Sequence, residues 1–286
     1  MSELASESAS TLRPRTRTPG AGGRGGRRPP PQPVEVTAVT RLTPGLVSVL
    51  VGGGDLSRFG EAAPTSHIKV FLPAQGQAAP ALPTVTPDGE RAWPADAPRP
   101  VVRTFTPRSY DAGSGTLEIQ FALHETGPAA EWARRAKPGM RIAIGGPGGR
   151  FAADLGAPHW WIAGDESALP AVGTLLDALP ATATATVHLE VAGPAEEIPV
   201  ESPAKTTVTW HYRPDRHSFG TTLHAAAASA VITPGSQVWV ACESSAMRGI
   251  RRLLLGERGV PHSALVTRGY WRLGAADYPD HDYGED

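Results

Sequence analysis

The chemically richest stretch of this sequence combines two guanidinium groups, two hydroxyls and an aromatic ring. It lies in a β-rich run and reads Arg103-Thr104-Phe105-Thr106-Pro107-Arg108. Because side chains alternate along a strand, Arg103 and Phe105 share one face and Thr104 lies on the other. Pro107 is then expected to end the strand. Such a strand end could hold a cofactor that carries both a phosphate and an aromatic ring. The alternative is an ordinary edge strand with arginines on its surface.

A second stretch predicts the beginning of a helix. It reads His124-Glu125-Thr126-Gly127-Pro128-Ala129-Ala130-Glu131-Trp132. Pro128 would occupy the first turn, where proline is favoured because no N–H group is needed there. The free N–H groups and the dipole of a helix start suit an anion such as a pyrophosphate. The alternative is a normally capped helix in which Glu131 already satisfies the dipole.

A third stretch follows an apolar strand and carries two neighbouring carboxylates. It reads Gly164-Asp165-Glu166-Ser167-Ala168-Leu169-Pro170. If the strand belongs to a parallel sheet, this position is the carboxyl edge, where α/β domains bind their ligands. Asp165 and Glu166 disfavour direct phosphate binding. They suit hydrogen bonding to an amide or a ribose, or simple capping of the next helix.

A fourth stretch closes the last predicted strand. It reads Gly269-Tyr270-Trp271-Arg272. Two aromatic side chains beside an arginine could cover a flat ring or bind an anionic ligand. The alternative is a C-terminal anchor that packs on the core.

The elements that must position the first two stretches are short strands separated by turns. We expect strands at 34–42, 46–51, 67–72, 101–106, 116–123 and 141–144. Residues 73–99 are rich in Pro and Ala and are interpreted as a loop, and 127–137 as a short helix that ends before Pro138-Gly139. Six short strands with one late helix predict a small antiparallel barrel.

After about residue 151 strands alternate with helices. Strands are expected at 159–163, 186–192, 206–211, 237–241 and 264–267, and helices at 166–179, 221–230 and 244–256. This alternation predicts a parallel sheet in an α/β domain. The division is therefore 34–150 for the barrel and 151–274 for the α/β domain, between a disordered basic tail at 1–33 and a loose acidic tail at 275–286.

Composition narrows the possible functions. The 286 residues carry a net charge of −1 and contain one cysteine, Cys242. A disulfide framework or a cluster of cysteine ligands is thus excluded, and no global charge favours nucleic acid. The two predicted domains lack the common motifs for dinucleotide, nucleotide-phosphate, zinc and serine-hydrolase sites, which are G-x-G-x-x-G, the P-loop, H-E-x-x-H and G-x-S-x-G. No apolar run approaches the roughly 18 residues of a membrane span. We expect a cytoplasmic monomer with no nucleic-acid partner, membrane insertion or metal site.

In combination, the four stretches resemble the siderophore-interacting proteins, flavin-dependent ferric-siderophore reductases related to the ferredoxin-reductase superfamily. The shared pattern spans residues 34–274 and runs R-x-[YF]-[ST]-x-R, G-P-A-x-x-W, G-D-E-[ST]-A-L-P and G-Y-W-R. Further similar residues are Lys137-Pro138-Gly139, and Glu243 with Arg248, Arg251 and Arg252. The resemblance implies an antiparallel FAD-binding barrel followed by a parallel-sheet NAD(P)H-binding domain.

The resemblance also implies a reaction. NADH or NADPH would reduce the bound FAD, which would pass electrons to the Fe(III) of a ferric siderophore and so release Fe(II). The cofactor carries the electron chemistry, so no residue is assigned a catalytic role and none needs to ligate iron. Three alternatives stay open: a flavin reductase with another acceptor, one driven by ferredoxin, and a module that binds a siderophore or flavin without turnover.

The family's functional residues carry over by motif. Phe105 would stack on or edge the isoalloxazine, Thr106 would lie near its N5 atom, and the 127–130 turn would bind the pyrophosphate. The cofactor-binding residues implied are Arg103, Thr104, Phe105, Thr106, Arg108, His124, Gly127, Pro128, Ala129, Ala130, Trp132, Asp165, Glu166, Ser167 and Trp271. Asp165 to Ser167 would lie on the nicotinamide side. Lys69 and Arg272 would form a basic pocket for an anionic ferric siderophore.

The sequence departs from the family pattern at several positions. Phe105 replaces the commoner tyrosine, and Glu125 stands where glycine is frequent. The 146–150 loop lacks the usual arginine directly after Pro147, which puts a phosphate contact there in doubt. Arg213 is a loose match for a residue facing the 2′-phosphate of NADPH.

Overall fold

The structure is a computed structural model. It describes residues 29–286 except 87, 89, 125, 126, 150, 152, 216, 276, 277, 279–281, 285 and 286, and it does not describe the side chains of Val85 and Arg91. The disorder predicted for 1–28 therefore concerns residues outside the described part. The end of the predicted tail 1–33 is corrected, because the first strand already begins at Gln32.

The first half of the chain is a strand-rich unit. Its elements are β1 (Gln32–Thr43), β2 (Leu46–Gly52), β3 (His67–Leu72), β4 (Thr84–Val85), β5 (Arg91–Ala92), β6 (Val101–Phe105), β7 (Pro107–Asp111), β8 (Thr116–Ala122), α1 (Pro128–Arg135) and β9 (Arg141–Gly148). A short 3-10 helix lies at Ser57–Phe59. β4 and β5 pair as a small hairpin inside the segment expected to be a loop.

Seven of these strands form one antiparallel sheet in the order β6-β3-β9-β1-β2-β8-β7. β6 and β7 lie at opposite ends of this order, yet only Thr106 separates them along the chain. The sheet must therefore curl until its two ends meet, which produces the expected barrel. The prediction that Pro107 ends a strand was incomplete, because Pro107 also begins β7, an end strand where its missing N–H is tolerated.

The core of the barrel comes from alternate residues of its strands. Leu117, Ile119 and Phe121 of β8 are fully buried, as expected where every second side chain faces inward. The Phe121 ring lies 4.3 Å from the ring of Phe105 and 5.5 Å from that of Trp132, measured between centroids. α1 is therefore held against the barrel through Trp132.

The second half alternates strands and helices as predicted. Its elements are β10 (His159–Asp165), α2 (Leu169–Ala178), β11 (Thr184–Val191), β12 (Lys205–Tyr212), α3 (Thr221–Ser229), β13 (Gln237–Glu243), α4 (Ser244–Gly256) and β14 (Leu265–Trp271). The strands form a parallel sheet in the order β12-β11-β10-β13-β14. The order reverses between β10 and β13, so a ligand crevice is expected there.

Helices cover both faces of this sheet. Trp160 and Ile162 belong to the core shared with α2, whereas Trp161 and Ala163 face the core shared with α3 and α4. Burial on both faces explains why β10 is continuously apolar rather than alternating. No helix in the described part of the chain is long and apolar enough to cross a membrane.

The two halves meet along a packed seam. Leu46 of the barrel is 1% exposed and belongs to the core of the α/β half. The carboxylate of Glu196 accepts hydrogen bonds from the Thr43 hydroxyl at 2.5 Å and the Gly45 N–H at 2.8 Å. These contacts fix the end of β1 and the β1–β2 turn against the second half.

Substitution of the central barrel phenylalanine should destabilise the fold. Phe121→Ala removes a fully buried ring that contacts Phe105 and Trp132, and such changes cost about 3–5 kcal/mol. Urea unfolding should show this loss in the free energy of unfolding. Val231→Ala is the control, because Val231 is 89% exposed and should change that free energy by less than about 0.5 kcal/mol. Equal effects of the two substitutions would contradict the core assignment.

Candidate functional site

The β6–β7 corner presents the first predicted stretch. Phe105 is half-buried, with its ring against Phe121. The Lys69 ammonium donates a hydrogen bond to the Thr104 hydroxyl at 2.8 Å, since these residues are paired between β3 and β6. The guanidinium of Arg103 donates to the Val102 carbonyl at 2.8 Å. The predicted acceptor-side lysine and the predicted flavin-side threonine are thus neighbours.

Arg108 and Thr106 both lie at the seam. Arg108 forms an ion pair with Asp177 of α2, with an N–O distance of 2.6 Å, and its guanidinium packs against Gly173. Thr106 is hydrogen-bonded to the hydroxyl of Tyr270 on β14, and burial raises the pKa of that tyrosine to about 12. These side chains anchor the barrel corner to the second half.

The N-terminus of α1 has the features expected of an anion site. Its N-cap is Gly127, with a φ of +129°, and within the described residues no side chain caps the first turn. A Cβ atom placed on Gly127 would meet no described atom within 4 Å. The first-turn amides of Ala129 and Ala130, which no side chain caps among the described residues, suit a phosphate group. Trp132, in contrast, lies 5% exposed in the barrel core.

The carboxyl end of β10 is organised around Asp165. This side chain is 1% exposed. Its carboxylate accepts hydrogen bonds from the Ser167 N–H at 3.0 Å, the Glu243 N–H at 2.9 Å and the indole N–H of Trp271 at 2.8 Å. Burial, with the charge of Glu166 second, raises the pKa of Asp165 to about 7. Asp165 thus caps the short 3-10 helix that follows and also joins three strand ends.

Glu166 is paired with a residue that sequence analysis placed elsewhere. Its two carboxylate oxygens accept hydrogen bonds from the two terminal nitrogens of Arg213. The Arg213 guanidinium also lies 4.7 Å from the centre of the Phe219 ring and is 6% exposed. In this state the arginine expected to face a 2′-phosphate is engaged by Glu166.

Trp271 stands in an aromatic group that joins both halves of the chain. Its ring centroid lies 4.9 Å from that of His124, which follows β8, and 4.6 Å from that of Phe219, which precedes α3. Burial, the largest cause, lowers the pKa of His124 and so favours its neutral form. The second, third and fourth predicted stretches are therefore brought together at the end of the parallel sheet.

Two residues of this region, Phe219 and Glu190, belong to none of the four predicted stretches. Phe219 gave no signal because single aromatic residues in loops are common. Glu190 lies near the end of β11 and is fully buried, and its carboxylate caps α3 by accepting hydrogen bonds from the N–H groups of Gly220 and Thr222. A charged residue at the end of a buried strand was the one available signal.

Other predicted residues have less defined surroundings. Arg272 is exposed at the end of β14, and the common pocket of Arg272 and Lys69 stays a prediction. Within the described residues no group of three or more His, Cys, Asp or Glu side chains is arranged to hold a metal ion.

An antiparallel barrel with an open helix start, joined to a parallel sheet with a polar and aromatic crevice, defines a two-domain flavin-dependent oxidoreductase. Residues 35–151 match the family described as siderophore-interacting FAD-binding domain, and residues 157–274 match siderophore-interacting protein. The chain belongs to the siderophore-interacting protein family, and its FAD-binding domain is the barrel half.

Similar proteins cover between half and nearly nine tenths of the chain. Ferric vibriobactin reductase of Vibrio cholerae is 31% identical over 244 residues, which are 83% of this chain and 88% of that protein. NADPH-dependent ferric-chelate reductase of Escherichia coli is 35% identical over 144 residues, 50% of this chain and 55% of that protein. The crystal structure of a siderophore utilization protein from T. fusca has a TM-score of 0.76 and 33% identity, and covers 88% of this chain and 96% of its own.

The raised pKa of Asp165 predicts a pH-dependent stability. The folded chain binds more protons than the unfolded chain between the ordinary aspartate pKa of about 4 and the raised value of about 7. The wild-type free energy of unfolding therefore contains a contribution that falls as pH rises through this window. Asp165→Asn removes this contribution. As pH rises from about 4 to about 7, the free energy of unfolding of the variant should therefore increase relative to that of wild type. Above about pH 7 the difference between the two should be constant.

Urea unfolding at a series of pH values measures this difference. Asp111→Asn is the control of opposite sign, because hydrogen bonds from Ser114 and Gly113 lower the pKa of Asp111. Asp111 stabilises the fold above its unfolded pKa, and this contribution is lost as pH falls. A flat difference between Asp165→Asn and wild type from pH 4 to 7 would show that the carboxyl is ionised throughout.

Proposed function

We propose that this protein is an NADPH-dependent flavoenzyme that reduces ferric siderophores and thereby releases Fe(II). The observation that carries the proposal is the meeting of His124, Asp165 and Trp271 where the FAD-binding barrel joins the parallel sheet. Two relatives support it, since one is named a ferric vibriobactin reductase and the other an NADPH-dependent ferric-chelate reductase.

The barrel residues would hold FAD. When bound, FAD supplies the conversion of a two-electron hydride donor into single electrons for iron. The first-turn amides of α1, from Ala129 and Ala130, would bind its pyrophosphate because they are free of a side-chain cap. Phe105 would contact the isoalloxazine with the part of its surface that Phe121 leaves exposed, and Thr106 would border the same ring.

The crevice between β10 and β13 would hold the nicotinamide. Asp165 does not act on substrate, because its acceptor positions already serve Ser167, Glu243 and Trp271. It fixes the Trp271 indole and so sets the width of the crevice. Glu166 and Ser167 border the same edge. Arg213 lies at this edge too, because it is paired with Glu166 and its guanidinium lies 4.7 Å from the centre of the Phe219 ring, so it would contact the nicotinamide half of the nucleotide.

The acceptor would be recognised by charge. A ferric siderophore needs no iron ligand from the protein, because the siderophore already chelates the metal. Lys69 and Arg272 would attract an anionic chelate electrostatically. Lys69 is held beside Thr104 on the barrel, which places a positive charge next to the proposed flavin-facing strand.

Anaerobic reduction tests the function directly. NADPH should bleach the flavin absorbance of the purified protein, and a ferric siderophore should restore it while a ferrous-specific chelator records Fe(II). Protein that binds no FAD, or reduced protein that is not reoxidised by any ferric siderophore, would reject the proposal.

A negative charge at the start of α1 should weaken FAD binding without lowering the stability of the fold. Pro128→Asp places a carboxylate in the first turn, which favours the helix by about 0.3–1 kcal/mol but repels a pyrophosphate. The FAD dissociation constant should rise by at least about tenfold, or roughly 1.4 kcal/mol, without loss of thermal stability. Pro128→Asn is the uncharged control of the same shape. Equal FAD affinities of the two variants, measured by fluorescence titration, would place the pyrophosphate elsewhere.

Removal of the two proposed acceptor-side charges should affect one half-reaction. Arg272→Ala and Lys69→Gln, the latter of which retains a donor for Thr104, should each raise the apparent KM for an anionic ferric siderophore several-fold, about 1 kcal/mol. The rate of flavin reduction by NADPH should stay unchanged in stopped-flow traces. The defect should shrink at high salt.

Arg258→Ala, at an exposed position beyond α4, is the control for loss of one positive charge. Slower flavin reduction with an unchanged acceptor KM would assign either residue to the nicotinamide side instead.

A further inference from the structure

The outer edge of the parallel sheet is covered by residues beyond the family match, which ends at 274. Asp282 forms an antiparallel bridge with Gly269 of β14, whose N–H donates to the Asp282 carbonyl at 2.9 Å. The Thr267 hydroxyl donates to the Tyr283 carbonyl at 2.6 Å. The described residues Tyr278 and Asp282–Gly284 form a C-terminal strap along this edge. The prediction of a loose tail over 275–286 is wrong at these residues.

The carboxylate of Asp282 is the centre of the strap. It accepts hydrogen bonds from the hydroxyls of Ser244 and Tyr278, both at 2.6 Å, and from the Arg248 guanidinium at 2.8 Å. The N–H of Gly284 donates to it at 2.9 Å. Asp282 is 8% exposed. A carboxylate this well paired holds its segment in one place.

Gly269 makes room for this carboxylate. A Cβ atom on Gly269 would lie 2.5 Å from an Asp282 carboxylate oxygen and 3.1 Å from the Ser244 Cβ. The Gly269 backbone itself is not in the left-handed region, so alanine is conformationally allowed there. The missing side chain at 269 therefore serves the seating of the strap.

The strap is connected to the nucleotide crevice at two points. Ser244 begins α4 directly after Glu243, whose N–H donates to Asp165 at 2.9 Å. Gly269 lies two residues before Trp271, whose indole also donates to Asp165. The strap thus holds both the start of α4 and the end of β14 from outside, while Asp165 holds the same two elements from within.

We propose that the C-terminal strap positions the outer wall of the NADPH crevice, and that Asp282 is the positioning residue. This inference rests on the proposed function for its choice of nucleotide. Asp282 does not touch the reacting atoms; it acts through Ser244 and β14, which set the places of Glu243 and Trp271. A released strap would leave the crevice loose on the β14 side and weaken nucleotide binding more than it slows electron transfer.

Two substitutions that reach the strap from opposite sides test the proposal. Asp282→Ala removes the carboxylate, and Gly269→Ala displaces it without changing the strap's own sequence. Each should raise the KM for NADPH by roughly three- to tenfold, with kcat within about twofold and the acceptor KM unchanged. The double variant should be no worse than the single variants, because both break the same contact.

Matched controls separate the strap from general effects. Gly256→Ala is also a glycine-to-alanine replacement, at the end of α4, but a Cβ there meets no described atom within 4 Å. Glu257→Gln removes an exposed carboxylate just after the same helix. Both should behave as wild type. An unchanged NADPH KM in Asp282→Ala and Gly269→Ala would overturn the proposal. A lowered KM would also overturn it, because the strap would then compete with the nucleotide.

Hydrogen–deuterium exchange gives a readout that needs no nucleotide. In nucleotide-free protein, the amides of 265–272 should exchange at least about tenfold faster in Asp282→Ala and Gly269→Ala than in wild type or the controls. Equal exchange would overturn the strap as a positioning element. Failure of NADPH to reduce the wild-type flavin would reject the proposed function instead, and the exchange comparison would still decide the role of the strap.

Discussion

The buried carboxylate of Asp165 is the contact on which the arrangement of the site depends. It ends β10 and binds the start of the next turn, the end of β13 and the indole of Trp271. A polar side chain removed from water is costly unless hydrogen bonds satisfy it, so the burial of Asp165 favours keeping its three partners in place. The contact between Trp271 and His124 depends on this hydrogen bond, because Asp165 fixes the indole beside the barrel residue His124.

The seam between the two halves extends this constraint to the barrel. Leu46 packs into the α/β core, Arg108 is paired with Asp177, and Tyr270 is hydrogen-bonded to Thr106. A residue of the barrel corner and a residue of β14 are thus bonded next to the positions proposed for flavin and nicotinamide. Transfer of a hydride from NADPH to FAD requires the two rings to be close, and this seam would hold the two proposed positions together.

Local sequence was sufficient for most elements because their hydrophobic periods are strong. β3 and α4 have the predicted limits of His67–Leu72 and Ser244–Gly256. The strand β7 was missed because Pro107 marks both the end of β6 and the beginning of β7. The residues around a proline are the same whether or not a second strand begins at that proline. Only the position of β7 at the end of the sheet distinguishes the two.

The sequence by itself determined the two fold units, the family resemblance, and the four stretches that could bind cofactors, because these depend on residue type and spacing along the chain. Tertiary structure decided which of the candidate side chains are exposed and unpaired enough to bind a ligand. Arg213 is engaged by Glu166, Trp132 packs in the barrel core, and Asp282 is bound at Gly269 instead of lying loose. Each of these contacts joins residues that are distant in the sequence. Whether a charge is paired or a ring is buried depends on neighbours that come together only in the folded chain.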